Sequence, residues 1–373
     1  MNKTAVMTNT IAAAVLLITL LTGVTHSVAQ TAVAASGSGF PDLTGQYKVG
    51  RTAYEWVDQS RDEKFASIAG LKRDLMVNIW FPAEPAKYAK IAPYMGDSVS
   101  WTIVTNHPEL ESQVKARAYM TNAVASGQPS YPVIIFDPDN TIPIFAYSSI
   151  IEELASHGYI VVGMSHPYDT VVIRYPDGRI VLEGSNGQGV PSSMDDSYVR
   201  TTLIQDVHFV LTQLQGLNEK DPDFKGRLDL TKIAVMGHSY GGLIAQLSAT
   251  AESKIVAGVS LENDPVTTSV QPTTKPFLYM GLGAAPKPEQ QTKDSYWVYS
   301  NQLQPGNFGD FAWLQFHGSL PNNDGVLGNI DPASAIEITN NYLLAFFNHY
   351  LAGSDLTWPT NADVKVIAFP TTS

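Results

Sequence analysis

The 373-residue chain contains no cysteine. That single absence excludes disulfides, thiolate metal sites, cysteine nucleophiles and a lipid-modified cysteine anchor. It does not exclude export, because a chain of this length can bury a core that needs no covalent staples. Basic charge is also scarce: 23 Lys and Arg stand against 35 Asp and Glu, a net charge of −12 with a pI of about 5.0. Such a surface argues against nucleic acid as a partner, since phosphates require basic patches. It offers no attraction to anionic membranes either. There is no H-E-x-x-H, no close histidine pair, no G-x-G-x-x-G and no Walker loop, so the chemistry is expected to need no cofactor and no metal.

Residues 11–24 form an apolar run of signal-peptide length, short for a membrane span, behind a thin positive region at Lys3. Ser27-Val28-Ala29 supplies small residues for cleavage after Ala29, and Ala32-Val33-Ala34 offers a second position. The expectation is a leader over 1–29, a flexible lead-in over 30–40 and one domain over 41–373, secreted and without a transmembrane segment once matured. The competing reading is an uncleaved anchor.

Residues 233–242 read Ile-Ala-Val-Met-Gly-His-Ser-Tyr-Gly-Gly. An apolar β-type run ends in Gly237-His238-Ser239-Tyr240-Gly241, and a helix-type run, Leu243 to Ala251, follows. This is G-x-S-x-G in the strand–turn–helix setting of a nucleophile elbow, which points to an α/β-hydrolase fold. Gly237 and Gly241 let strand and helix approach without a Cβ clash. Ser239 is then exposed above the sheet as a nucleophile, with the Tyr240 N–H at the helix N-terminus aimed at a developing oxyanion. The bland reading is a chance match in a glycine-rich loop; the flanking strand and helix disfavour it.

Strands are expected at Tyr47–Val57, Asp74–Phe81, Tyr131–Phe136, Tyr159–Met164, Ile255–Leu261, Phe277–Leu282 and Phe311–Phe316. Val171–Val181, with Tyr175-Pro-Asp-Gly178 inside it, reads as a hairpin. Helical spacing covers Ala146–Ser156, Asp195–Leu217 and Ala335–Leu351, and Pro108–Val124 has a helix-like pattern. Residues 86–130 read as an insertion over the site or a surface excursion. The alternation of strands and helices predicts a mostly parallel central sheet with helices on both faces.

A serine hydrolase of this fold orders its triad Ser, Asp/Glu, His along the chain. Glu262 and Asp264 follow the strand Ile255–Leu261 directly, and both are candidates for the acid, with Glu262 preferred. Only His317 and His349 come later. His349 lies within the terminal helical run and reads as solvent-facing, so His317 is the candidate base. His166 and His208 precede the elbow, and His238 within it reads as packing. The second oxyanion donor is expected from the loop after Phe136, as a backbone N–H at Asn140 or a neighbour.

With these residues in hand, the chain resembles the secreted platelet-activating-factor acetylhydrolases and their microbial relatives. The resemblance is carried by Phe40–Gly50, Arg73–Pro82, Tyr131–Phe136, Leu154–Val162, the elbow Gly237–Gly242, Gly258–Glu262, Gly328–Pro332 and Tyr342–Phe347. It implies short-acyl, phospholipid-like esters as substrates, hydrolysed through an acyl-enzyme. It also implies that Glu262 stands where the family's acid is usually aspartate. Two departures stand out. Pro138-Asp139 replaces the family's His-Gly pair near the oxyanion hole, and Gly318-Ser319-Leu320 leads to Pro321 where the family often has its histidine. The alternatives are a catalytically impaired binding protein on this fold, or cleavage of a lactone, amide or polyester.

Overall fold

The computed structural model describes residues 40–184, 198–262, 273–282, 294–316, 327–328 and 330–369. The expected leader, Asp264 and His317 lie outside the described residues. Among the described residues, no helix is long and apolar enough to cross a membrane.

In chain order, the antiparallel pair β1 (Lys48–Asp62) and β2 (Lys72–Ala83) comes first. Then follow β3 (Ile91–Pro93), α1 (Ser98–Thr105), the single turn α2 (Leu110–Gln113) and β4 (Lys115–Met120). Strand β5 (Tyr131–Asp137), helix α3 (Ser148–Ser156) and strand β6 (Ile160–Ser165) form a βαβ unit. The hairpin β7 (Val172–Arg174) and β8 (Ile180–Leu182) leads to α4 (Ile204–Lys220). Then come β9 (Leu228–His238), α5 (Tyr240–Ala251), β10 (Ile255–Leu261), β11 (Phe277–Gly281) and β12 (Ser295–Tyr299). Helices α6 (Phe311–Phe316) and α7 (Pro332–Tyr350) and strand β13 (Lys365–Ala368) complete the chain.

The strands assemble into one sheet in the order β13-β12-β11-β10-β9-β5-β6-β2-β1-β4-β3. The block from β12 to β6 is parallel throughout. Strand β5 shows why this sheet must be covered on both sides. Val133 and Ile135 join the core under α4 and α5, whereas Ile134 and Phe136 join the core under α3 and α7. Side chains alternate across a strand, so an unbroken apolar run requires two apolar environments. Each such side chain taken from water contributes about 1.5–3 kcal/mol. On α4, Val207, Val210, Leu211, Leu214 and Leu217 make the matching buried stripe.

The chain runs from β5 to β6 on one side of β5, then returns to place β9 on its other side. The carboxyl ends of β5 and β9 therefore flank a topological switch point, where open α/β sheets gather their ligands. Backbone strain concentrates at the same end. Thr141, Tyr168, Ser239 and Glu262, in the loops after β5, β6, β9 and β10, all hold positive φ without being glycine; such conformations cost about 1–3 kcal/mol each and mark sites.

Two sequence expectations are corrected. Phe311–Phe316, read as a strand, is helix α6, whose turn is closed by Leu314 N–H on the Asp310 carbonyl. A six-residue apolar run is compatible with either period, and the turn begun at Asp310 decides it. The helical pattern over Pro108–Val124 yields only the turn Leu110–Gln113 before the chain extends into β4. There Gly50 and Arg51 of β1 pair with Tyr119 and Met120, so sheet pairing overrides the local spacing. Within residues 86–130, β3 and β4 lie at one end of the sheet.

Candidate active site

Ser239 caps α5 at φ 50° and ψ −112°. The sharp turn is made possible by its two glycines. A Cβ on Gly237 would lie 2.0 Å from the Gly241 carbonyl oxygen, and a Cβ on Gly241 would lie 2.2 Å from that of Asp137. These are backbone atoms that cannot rotate away, so neither position accepts a side chain. The Ser239 N–H is anchored on the Leu261 carbonyl at 2.8 Å, and the side chain is half-buried at the carboxyl end of β9.

The expected oxyanion donors converge. The Tyr240 N–H and the Asn140 N–H both point at one atom, Asp139 Oδ1, at 3.2 and 2.9 Å. The nearby Ser239 hydroxyl also favours the charged Asp139 carboxylate. The loop that carries Asp139 and Asn140 is held from below. Thr141 N–H donates to the Asp169 carbonyl, Val171 N–H donates back to the Thr141 carbonyl, and the Asp139 N–H donates to the Tyr147 hydroxyl.

Glu262 sits at the end of β10, with its N–H on the Met280 carbonyl at 2.6 Å. Its Oε2 lies 2.9 Å from His238 Nε2, while His238 Nδ1 is 2.9 Å from the Tyr147 hydroxyl. Burial disfavours the His238 imidazolium, but Glu262 and Asp139 outweigh it and the pKa is raised. His238 is thus committed to Glu262 and Tyr147. The other described histidines are committed as well. His166 bridges Asp137 and Asp206, His157 meets Glu153 and Thr44, and His208 meets Glu252. His107 meets Glu109, and His349 meets the Ser354 carbonyl from the last turn of α7.

A family model described as "Platelet-activating factor acetylhydrolase, isoform II" matches residues 32–177. A "Probable 1-alkyl-2-acetylglycerophosphocholine esterase" of Arthroderma benhamiae is 24% identical over 360 residues, covering 84% of this chain and 89% of that one. The "Platelet-activating factor acetylhydrolase" of Cavia porcellus is 25% identical over 275 residues, 65% of this chain and 62% of that one. A ferulic acid esterase from Streptomyces cinnamoneus superposes with a TM-score of 0.74 at 26% identity, covering 89% of this chain and 100% of that one. The chain is thus similar to platelet-activating-factor acetylhydrolases, and its fold is that of an α/β-hydrolase.

Two features of the site were not assigned from the sequence. The first is the contact of Asp139, marked in the sequence only as a departure near the oxyanion hole, with both candidate oxyanion donors. The second is a buried ionic cluster beneath the loop after β5. Asp206 of α4 receives Arg73 Nη2 at 2.6 Å and His166 Nδ1 at 2.8 Å, and Arg61 Nη2 lies 2.8 Å from its other oxygen. His166 Nε2 meets Asp137 at 2.6 Å, and Arg73 Nη1 meets Glu63 at 2.7 Å. Burial would lower the His166 pKa, but Asp137 and Asp206 hold it up to about 10. Burial would likewise raise Asp206, yet Arg73 and His166 hold it well below the carboxylate range. His166 is therefore a cation near neutral pH and ties the end of β5 to α4. The available signal was charge placed within apolar patterns: Asp206 occupies the stripe of α4, and Arg73 opens the buried strand β2.

Proposed function

We propose that this chain is a serine carboxylic-ester hydrolase acting through an acyl-enzyme on short-acyl or phospholipid-like esters, and that it is secreted. The observation that carries the reading is the strained Ser239 at the switch point, with the Tyr240 and Asn140 N–H groups converging on one oxygen position beside it. Two N–H donors on a single point are what a tetrahedral intermediate requires. The family relatives, named for esters of this class, support the substrate. The apolar N-terminal run supports export.

In the proposed mechanism Ser239 Oγ attacks the ester carbonyl while His317 takes its proton. The carbonyl oxygen becomes an oxyanion held by Tyr240 and Asn140. Collapse of the intermediate breaks the ester C–O bond, and the alcohol leaves with the proton from His317. Water, deprotonated by the same histidine, then releases the acid. His317 is assigned by chain order, and by the commitment of each described histidine to another partner. Glu262, with Asp264 as the alternative, orients it. The natural test compares Ser239→Ala with wild type on p-nitrophenyl esters of graded acyl length and on an acetylated phospholipid analogue. Turnover that falls with acyl length and disappears in Ser239→Ala is expected; turnover retained by Ser239→Ala defeats the proposal.

A second reading, an impaired hydrolase that binds rather than turns over its ligand, is favoured by Pro321 at the family's histidine position and by the carboxylate at the oxyanion donors. Wild type that is folded yet inactive on the whole ester panel would support it.

A further inference from the structure

We propose that Asp139 is a built-in occupant of the oxyanion hole, so that the site is closed to an ester carbonyl while this carboxylate is charged and seated. The inference rests on the serine-hydrolase reading above and names how that site is controlled. Its basis is coincidence of position. An ester oxygen must lie about 2.7–3.1 Å from both N–H donors to be stabilised as it gains charge. Asp139 Oδ1 already stands 3.2 Å from the Tyr240 nitrogen and 2.9 Å from that of Asn140. Two oxygens cannot share that point. The Ser239 hydroxyl lies near the same carboxylate and favours its charged form, so one side chain fills the hole beside the nucleophile. A local turn would account for the Asn140 contact alone. It does not account for a donor 101 residues away, at the N-terminus of α5.

The occupant works against catalysis in two ways. It must be displaced before the carbonyl enters, and if it remains nearby its charge repels the forming oxyanion. The groups facing it come from four directions: His238 from β9, Glu262 after β10, Asp169 after β6 and Tyr147 before α3. Burial, reinforced by Glu262, pushes the Asp139 pKa up to about 6 against the pull of His238, the Tyr240 N–H and Ser239. Below about pH 6 the occupant therefore loses its charge, which weakens its hold on the donors.

The test is the second-order rate of fluorophosphonate labelling of full-length wild type, Asp139→Asn and Asp139→Gly across pH 5 to 8. Melting curves are recorded for each variant to show that it is folded. Releasing charge-assisted hydrogen bonds predicts that both variants label at least about tenfold faster than wild type at pH 8. The advantage of Asp139→Asn should shrink toward unity as pH falls below about 6, because protonated Asp139 and asparagine are then alike. Ionisation of the base affects all three proteins and cancels in the ratio. Equal rates at pH 8 overturn the inference and leave the hydrolase reading standing. Slower labelling of folded variants also overturns it, and makes Asp139 an activating group instead. If neither wild type nor the variants label, the serine reading fails and takes this inference with it.

Discussion

Replacing Asp206 with asparagine removes one charge from the centre of the buried cluster while keeping its shape. The carboxylate faces three cations: Arg73, with its Nη2 at 2.6 Å, His166 at 2.8 Å and Arg61 at 2.8 Å. Asparagine turns an N–H₂ toward at least one of them, leaving excess positive charge in a site closed to water. Breaking a buried pair by removing one partner costs about 3–5 kcal/mol, mostly from the charge left behind. With about 2.1 cal/mol/K of unfolding entropy per residue, a domain of about 330 residues shifts by roughly 1.4 °C per kcal/mol, so the expected drop is about 4–7 °C. The assay is paired thermal and urea unfolding of wild type and Asp206→Asn. The pH dependence follows from the direction of the shift. The folded pKa of Asp206 is depressed, so its contribution is full above the unfolded value of about 3.9 and is lost as pH falls below it. The gap between the two proteins should therefore narrow in acid. His166 has the opposite sign: its pKa is raised to about 10, so its contribution is full below about 6.5 and fades as pH climbs toward 10. A variant melting within about 1 °C of wild type at pH 7 would refute the reasoning, because 3–5 kcal/mol cannot be hidden in so small a shift.

Other outcomes follow from the same contacts. Gly241→Ala forces a Cβ to within 2.2 Å of the Asp137 carbonyl; it should cost about 1–3 kcal/mol of stability and, by displacing Ser239, about 100-fold in turnover, measured by melting and initial rates. His317→Ala should lower kcat by about 10³-fold or more, and near-wild-type turnover would remove His317 from the mechanism. Asp139→Asn should stabilise the fold above pH 6 and change nothing below about pH 4. The folded pKa of Asp139 is raised, so its charged form costs the native state on the order of 1–3 kcal/mol, readable as a melting point that rises only on the alkaline side.

The sequence carries the site unevenly, for physical reasons. The elbow is legible because its constraint is local: strand, glycine, serine, glycine and helix lie within one short stretch, and the sterics at Gly237 and Gly241 need no distant partner. Strand β10 is legible to the residue, Ile255–Leu261, because a continuous apolar run between polar turns has one home in a parallel sheet. The hairpin of β7 and β8 is signalled by its turn, where Gly178 N–H bonds to the Tyr175 carbonyl. Strand β12 and the edge strand β13 leave weak patterns, because their pairing partners decide them: β12 joins β11 and then β13. Asp139 shows the limit most clearly. Its neighbours mark only a turn, and its significance depends on the Tyr240 N–H arriving from the far side of the switch point. The Arg73, His166 and Asp206 cluster is hidden in the same way, since each residue alone looks like a charge at the margin of an apolar element.

The most direct test of the account is the site of covalent modification. Full-length protein treated with a fluorophosphonate and analysed by intact mass and peptide mapping should carry a single adduct on Ser239, absent from Ser239→Ala. An adduct on another residue, or none on folded wild type and none on folded Asp139→Gly across pH 5 to 8, would contradict it.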